Sequence, residues 1–78
     1  MLELFHKMNC PYSARVRDYI ENRGLESEIL YHDTETENGA KDRLQKIAFK
    51  TQVPCLVVNG KPVLESDEII DWLEKNLH

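Results

Sequence analysis

The sequence predicts an α/β fold, a four-stranded mixed sheet flanked by three helices in the order β-α-β-α-β-β-α. Two short apolar runs, LELFH at 2–6 and EILYH at 28–32, bracket a stretch of helical spacing. A β-α-β unit of this kind implies parallel strands joined by a right-handed crossover. CLVV at 55–58 is a near-continuous apolar run suited to a strand buried on both faces. Asn59-Gly60 then separates CLVV from KPVL, a strong hairpin signal that adds an antiparallel strand.

Each element has its own local reason. LELFH runs into Asn9-Cys10-Pro11, which reads as a helix entry because proline suits the first helical position, where its missing N–H costs nothing. Tyr12, Val16, Tyr19 and Ile20 follow at helical spacing, and Gly24 stands where a helix-ending glycine is expected. The polar segment DTETENG reads as a loop, after which Ala40, Leu44, Ile47 and Ala48 mark one face of a second helix. TQVP is a break. Ser66 before Asp67 and Glu68 reads as an N-cap with acids in the first turn, and Ile69, Ile70, Leu73 and Leu77 give the last helix its apolar stripe. No repeat, linker or low-complexity tract interrupts this order, so residues 1–78 read as one domain.

With 78 residues the chain can bury only a modest core. Its composition, 41% hydrophobic and 31% charged, is that of a globular protein and not of a disordered one. The net charge of -4 argues against a nucleic-acid binder, which would show a basic face. The first ten residues contain no apolar run long enough for a leader or a membrane span. Two cysteines are too few for a secreted disulfide scaffold, so the expectation is a soluble cytoplasmic protein, monomeric and without membrane contact.

Cys10 is the candidate nucleophile. As an N-cap it would receive the free amides of Tyr12 and Ser13, and the helix dipole would favour its thiolate. Cysteines so placed titrate well below their ordinary range. The Ser13 hydroxyl, one turn on, adds a donor, and Lys7, three residues before Cys10, adds a cation. The competing reading is a buried cysteine packing as a small hydrophobe.

A first strand followed by Lys7-x-x-Cys10-Pro11-Tyr12-Ser13, and later by Thr51-Gln52-Val53-Pro54, resembles glutaredoxin. The stretch VPCLVVNGKPVLESDEIIDWLEKN also resembles the N-terminal domain of glutathione transferases, which carry a Glu/Gln-Ser pair before the last helix. Together the two likenesses span essentially the whole chain and imply the thioredoxin-like fold. The resemblance implies that Cys10 is catalytic and that Pro54 follows a cis bond and lies against it. Without the resemblance, Pro54 reads as a strand-initiating proline. It further implies glutathione as co-substrate, with the Val53 backbone pairing with the cysteinyl unit as an added strand does. Ser66 and Asp67 would receive the γ-glutamyl carboxylate, and Glu65 or Asp67 the ammonium. Lys7, with Gln52 or Lys50 as weaker candidates, would meet the glycine carboxylate. Tyr12 either lines this site or begins the apolar stripe of the first helix.

Ser13 stands where dithiol enzymes carry a resolving cysteine, and a hydroxyl cannot attack a mixed disulfide. The implied activity is therefore monothiol reduction of protein–glutathione mixed disulfides, with glutathionylated or disulfide-containing proteins as partners. Two other readings follow from the same residues. One is a stand-alone glutathione-transferase-like domain that binds glutathione or a partner without turnover, since 78 residues leave no room for a second, helical domain. The other is an iron–sulfur carrier, disfavoured because Pro11-Tyr12 replaces the Gly-Phe of C-G-F-S proteins. Cys55 reads as a packing residue within CLVV, with a resolving role as the alternative. His6 and His32 read as strand or strand-end residues, Trp72 as a packing residue, and no metal site is expected from Cys10, His6 and Cys55.

Overall fold

The computed structural model describes residues 2–77. Strands β1 (Leu2–His6), β2 (Ile29–Asp33), β3 (Cys55–Val58) and β4 (Lys61–Leu64) alternate with helices α1 (Pro11–Asn22), α2 (Ala40–Ala48) and α3 (Ser66–Asn76) in the expected order. They form one mixed sheet in the spatial order β2-β1-β3-β4. β1 runs parallel to β2, pairing Phe5 with His32, and antiparallel to β3, pairing Phe5 with Cys55. β3 and β4 are antiparallel.

Strand alternation divides the core between the two faces of the sheet. Leu4 and Leu56 point to one face, where they meet Val16 and Ile20 of α1 and Ile69 and Leu73 of α3. Phe5, Cys55 and Val57 point to the other, against Ala40, Leu44 and Ala48 of α2. Each of the larger of these side chains contributes about 1.5–3 kcal/mol through burial.

The turns follow their sequence signals. At the end of α1 the Gly24 N–H donates to Glu21 O at 3.1 Å and the Leu25 N–H to Ile20 O at 3.0 Å. That double bond is a Schellman motif, and Gly24 supplies the left-handed φ of 66° it requires. Asn59 and Gly60, at φ 51° and 79°, make the two-residue hairpin.

Three expectations need correction. The second strand begins at Ile29 and not at Glu28, because a 3-10 turn over Glu26–Glu28 takes up the preceding residues. Tyr12 does not belong to the core stripe of α1: it is 65% exposed, and Ser13 is the buried residue of that first turn. Ser66 is not the N-cap of α3. Glu65 holds that position at φ 73°, and Ser66 is the first helical residue, its side chain making no capping bond. The Glu65 carbonyl accepts the first helical bond, from the Ile69 N–H at 3.0 Å.

Candidate functional site

Cys10 is the N-cap of α1, with extended backbone (φ -101°, ψ 120°) and Pro11 directly after it. Its carbonyl accepts from the Ala14 N–H at 2.9 Å, and its own N–H donates to Lys7 O at 3.4 Å, closing the turn that leads from β1. The thiol is only partly exposed, and that burial pushes its pKa up. Four groups outweigh the burial: the Ser13 backbone N–H, the Ser13 hydroxyl, the Tyr12 backbone N–H and the charge of Lys7. Together they hold the thiol below its ordinary value of 9.0. Ser13 is fully buried, and its oxygen also accepts from the Lys7 N–H at 3.3 Å, so one hydroxyl ties the loop to the helix start while facing the sulfur.

The antiparallel register of β1 with β3 brings the segment before Cys55 to the end of β1, where the Cys10 loop departs. The Val53-Pro54 peptide bond there is cis. A cleft of about 320 Å³ opens beside it, lined by Tyr12, Gln52, Val53, Pro54, Glu65 and Ser66. Six of the residues singled out in the sequence are thus gathered from three separate parts of the chain. The Gln52 amide donates to Glu65 Oε1 at 3.1 Å across the cleft.

Cys10, Lys7 and Asp67 are outside the lining. Cys10 precedes by two residues the Tyr12 that lines the cleft. The Lys7 ammonium lies 3.4 Å from Glu35. Asp67 is engaged by Arg15 in an ion pair, and the same guanidinium donates to Ser66 Oγ at 3.2 Å. Because Ser66 Oγ accepts from Arg15, its own proton remains to be donated. Lys50 is exposed and does not line the cleft.

Cys55 points away from this arrangement. It is fully buried against α2, on the face of the sheet opposite α1 and α3, and both cysteines are free thiols. Burial pushes its pKa up to about 11, only partly offset by the Val63 N–H. That is the environment of a packing residue. His6 ends β1 and His32 lies within β2, where its ring nitrogens meet Glu37 at 2.7 Å and Glu3 at 2.8 Å. Trp72 packs at the edge of the α1/α3 core.

Two arginines of this region escape a reading by motif. Arg17 donates to His6 and to two loop carbonyls ahead of Cys10. The signal for it was present: Ser13, Val16, Arg17 and Ile20 share one helical face, and a charge on a buried stripe announces a partner. For Arg15 no local signal exists, because its partners are 51 and 52 residues away.

Compared with solved structures, this arrangement is that of a thioredoxin-like fold. A thioredoxin-like protein aligns over 100% of both chains with a TM-score of 0.78 at 19% identity. A glutathione transferase family member from Pseudomonas fluorescens, solved with bound glutathione, aligns at 0.81 and 22% identity over 96% of this chain, which spans 38% of that transferase. A buckwheat glutaredoxin–glutathione complex aligns at 0.71 and 19% identity, covering 95% of this chain and 68% of the other. No curated protein matches the sequence. Residues 9–76 match the glutathione S-transferase N-terminal domain, and the chain belongs to that family.

Proposed function

We propose that the protein is a glutathione-dependent thiol–disulfide oxidoreductase that removes glutathione from protein mixed disulfides by a monothiol route. The observation that carries this reading is the environment of the Cys10 sulfur. It is an N-cap thiol held below its ordinary value by two backbone amides and a buried hydroxyl, two residues before the Tyr12 that lines a cleft of about 320 Å³.

The cleft divides by chemistry. The Val53 backbone before Pro54 pairs with the cysteinyl unit of glutathione, bringing its sulfur toward Cys10. The γ-glutamyl carboxylate sits on the first amides of α3 and the free Ser66 proton. Its ammonium goes to Glu65, because Asp67 is already paired with Arg15. Lys7 exchanges Glu35 for the glycine carboxylate.

In the first step the Cys10 thiolate attacks the glutathione sulfur of a protein–S–S–glutathione disulfide. The protein thiolate leaves and takes a proton from solvent, and Cys10 becomes glutathionylated. In the second step the thiolate of another glutathione attacks the glutathione sulfur of that adduct. Oxidised glutathione forms and Cys10 leaves as thiolate. The net two-electron exchange turns one mixed disulfide and one glutathione into one protein thiol and oxidised glutathione. A stabilised thiolate helps both as the attacking group and as the leaving group. Ser13 cannot resolve the adduct, and Cys55 is on the wrong face of the sheet.

A second reading is favoured by one feature: Cys10 is not among the six residues that line the cleft. In this reading the domain holds glutathione or a partner without turnover. Release of glutathione from a glutathionylated peptide, measured with excess glutathione, separates the two. The oxidoreductase reading expects multiple turnovers that Cys10→Ser abolishes. Unchanged binding of S-methylglutathione with no turnover by the native protein would leave the binding module.

A further inference from the structure

Arg17 has an unusual set of partners. Its Nη1 donates to His6 Nδ1 at 3.0 Å and to Lys7 O at 2.9 Å, and its Nη2 to Met8 O at 3.3 Å. Among the described residues, no carboxylate lies within ion-pair distance of it. The three acceptors belong to consecutive residues, the last of β1 and the first two of the loop to Cys10. Lys7 O is the carbonyl that receives the Cys10 N–H, and the Lys7 N–H holds the Ser13 hydroxyl that faces the sulfur. A guanidinium only donates, so Nδ1 of His6 must present its lone pair, and the ring in this contact is neutral with its proton on Nε2.

We propose that Arg17 is a positioning residue for Cys10, holding residues 6–8 so that the sulfur stays on the Tyr12 and Ser13 amides. Neutral His6 is the acceptor that completes the clamp, and the clamp loosens when His6 takes up a proton. The proposal rests on Cys10 being the reacting thiol. The geometry suits the role: the ring is buried at the end of β1, and the guanidinium that bonds it also bonds the Lys7 and Met8 carbonyls of the loop. Arg17 from α1 and the edge of Tyr31 at 5.6 Å meet the ring, and the charges of Asp33 and His32 on β2 also act on it. Burial first, then Arg17 and His32, resist protonation, and Asp33 only partly offsets them, so His6 titrates below 6.5. The clamp is therefore closed at neutral pH and opens in acid.

The test is the rate of iodoacetamide alkylation at Cys10 from pH 4 to 10, read by intact mass, in the native protein, Arg17→Met, Arg17→Lys and His6→Gln. Arg17→Met should shift the alkylation midpoint upward and react about tenfold more slowly at pH 7, with the plateau rate at high pH unchanged. Arg17→Lys, which can reach a carbonyl with one ammonium, should recover part of that loss. In the native protein the rate should fall more steeply than tenfold per pH unit where His6 protonates, as followed by its ring proton resonance. In His6→Gln, which keeps an acceptor, that extra steepness should vanish. A midpoint in Arg17→Met equal to native overturns the proposal. So does a native slope that becomes shallower as His6 titrates, which would mean that the imidazolium acts on the thiolate by charge alone. Should Arg17→Met fail to fold, the native slope and Arg17→Lys still decide. Iodoacetamide needs no glutathione, so loss of turnover with an intact clamp would count against the oxidoreductase reading and not against this one.

Discussion

Ser13→Ala removes one oxygen that serves two partners. The hydroxyl helps to hold the Cys10 thiol below its ordinary value and accepts from the Lys7 N–H at 3.3 Å. Hydrogen bonds to a charged group contribute about 1.5–3 kcal/mol. Because the Cys10 sulfur is partly exposed, the lower end applies, and about 1.4 kcal/mol corresponds to a factor of ten in the thiolate population. Below its midpoint Cys10 in Ser13→Ala should therefore react about tenfold more slowly with iodoacetamide. At high pH, where all the thiol is ionised, the two rates should converge. Stability should fall by only about 0.5–1.5 kcal/mol, the worth of an ordinary bond, because the Lys7 N–H loses its acceptor. The assay is alkylation rate against pH, with urea denaturation as the control for folding. An unchanged midpoint in a folded Ser13→Ala protein would refute the reasoning that this hydroxyl stabilises the thiolate.

Other perturbations test other parts of the account. Glu65→Gln should weaken S-methylglutathione binding about tenfold in a calorimetric titration, whereas Asp67→Asn should cost only roughly two- to threefold, since Arg15 already occupies that carboxylate. The reverse order would assign the ammonium to Asp67. Burial pushes the Cys55 thiol from its ordinary 9.0 up to about 11, so its contribution is intact below pH 9 and is lost as the pH rises from 9 toward 11. That difference is on the order of 3 kcal/mol, and Cys55→Ala should flatten the alkaline fall in urea midpoint; an equal fall in both proteins would contradict it. Gly60→Ala should cost about 1 kcal/mol, because the residue sits at φ 79° and nothing lies within 4 Å of the added methyl. A neutral substitution would mean that the turn can relax.

Much of this was legible in the sequence because its causes are local. Pro11 after a capping Cys10, Gly24 at a helix end and Asn59-Gly60 between two strands each act over a few residues, and the structure has all three where the spacing puts them. The near-continuous apolar run CLVV also foretold that Cys55 would be buried. What could not be read is set by distant partners. Ser66 carries every mark of a cap, yet Glu65 turns the chain at φ 73°, and the hydroxyl is left to accept from an arginine 51 residues away. Tyr12 matched the apolar spacing of α1, but it is exposed and lines the cleft, while its neighbour Ser13 takes the buried place in that first turn. Asp67 looked as able as Glu65 to hold an ammonium until Arg15 was seen to occupy it.

The measurement that tests the central claim most directly is intact mass after brief exposure to a modest excess of oxidised glutathione, repeated after reduced glutathione is added. The account predicts a single glutathione adduct, located on Cys10 and removed by reduced glutathione, with Cys55 unmodified. A loss of two hydrogens without an adduct would mean that Cys10 and Cys55 pair, contradicting their separation by the sheet. No reaction at all would contradict the assignment of Cys10 as the reactive thiol.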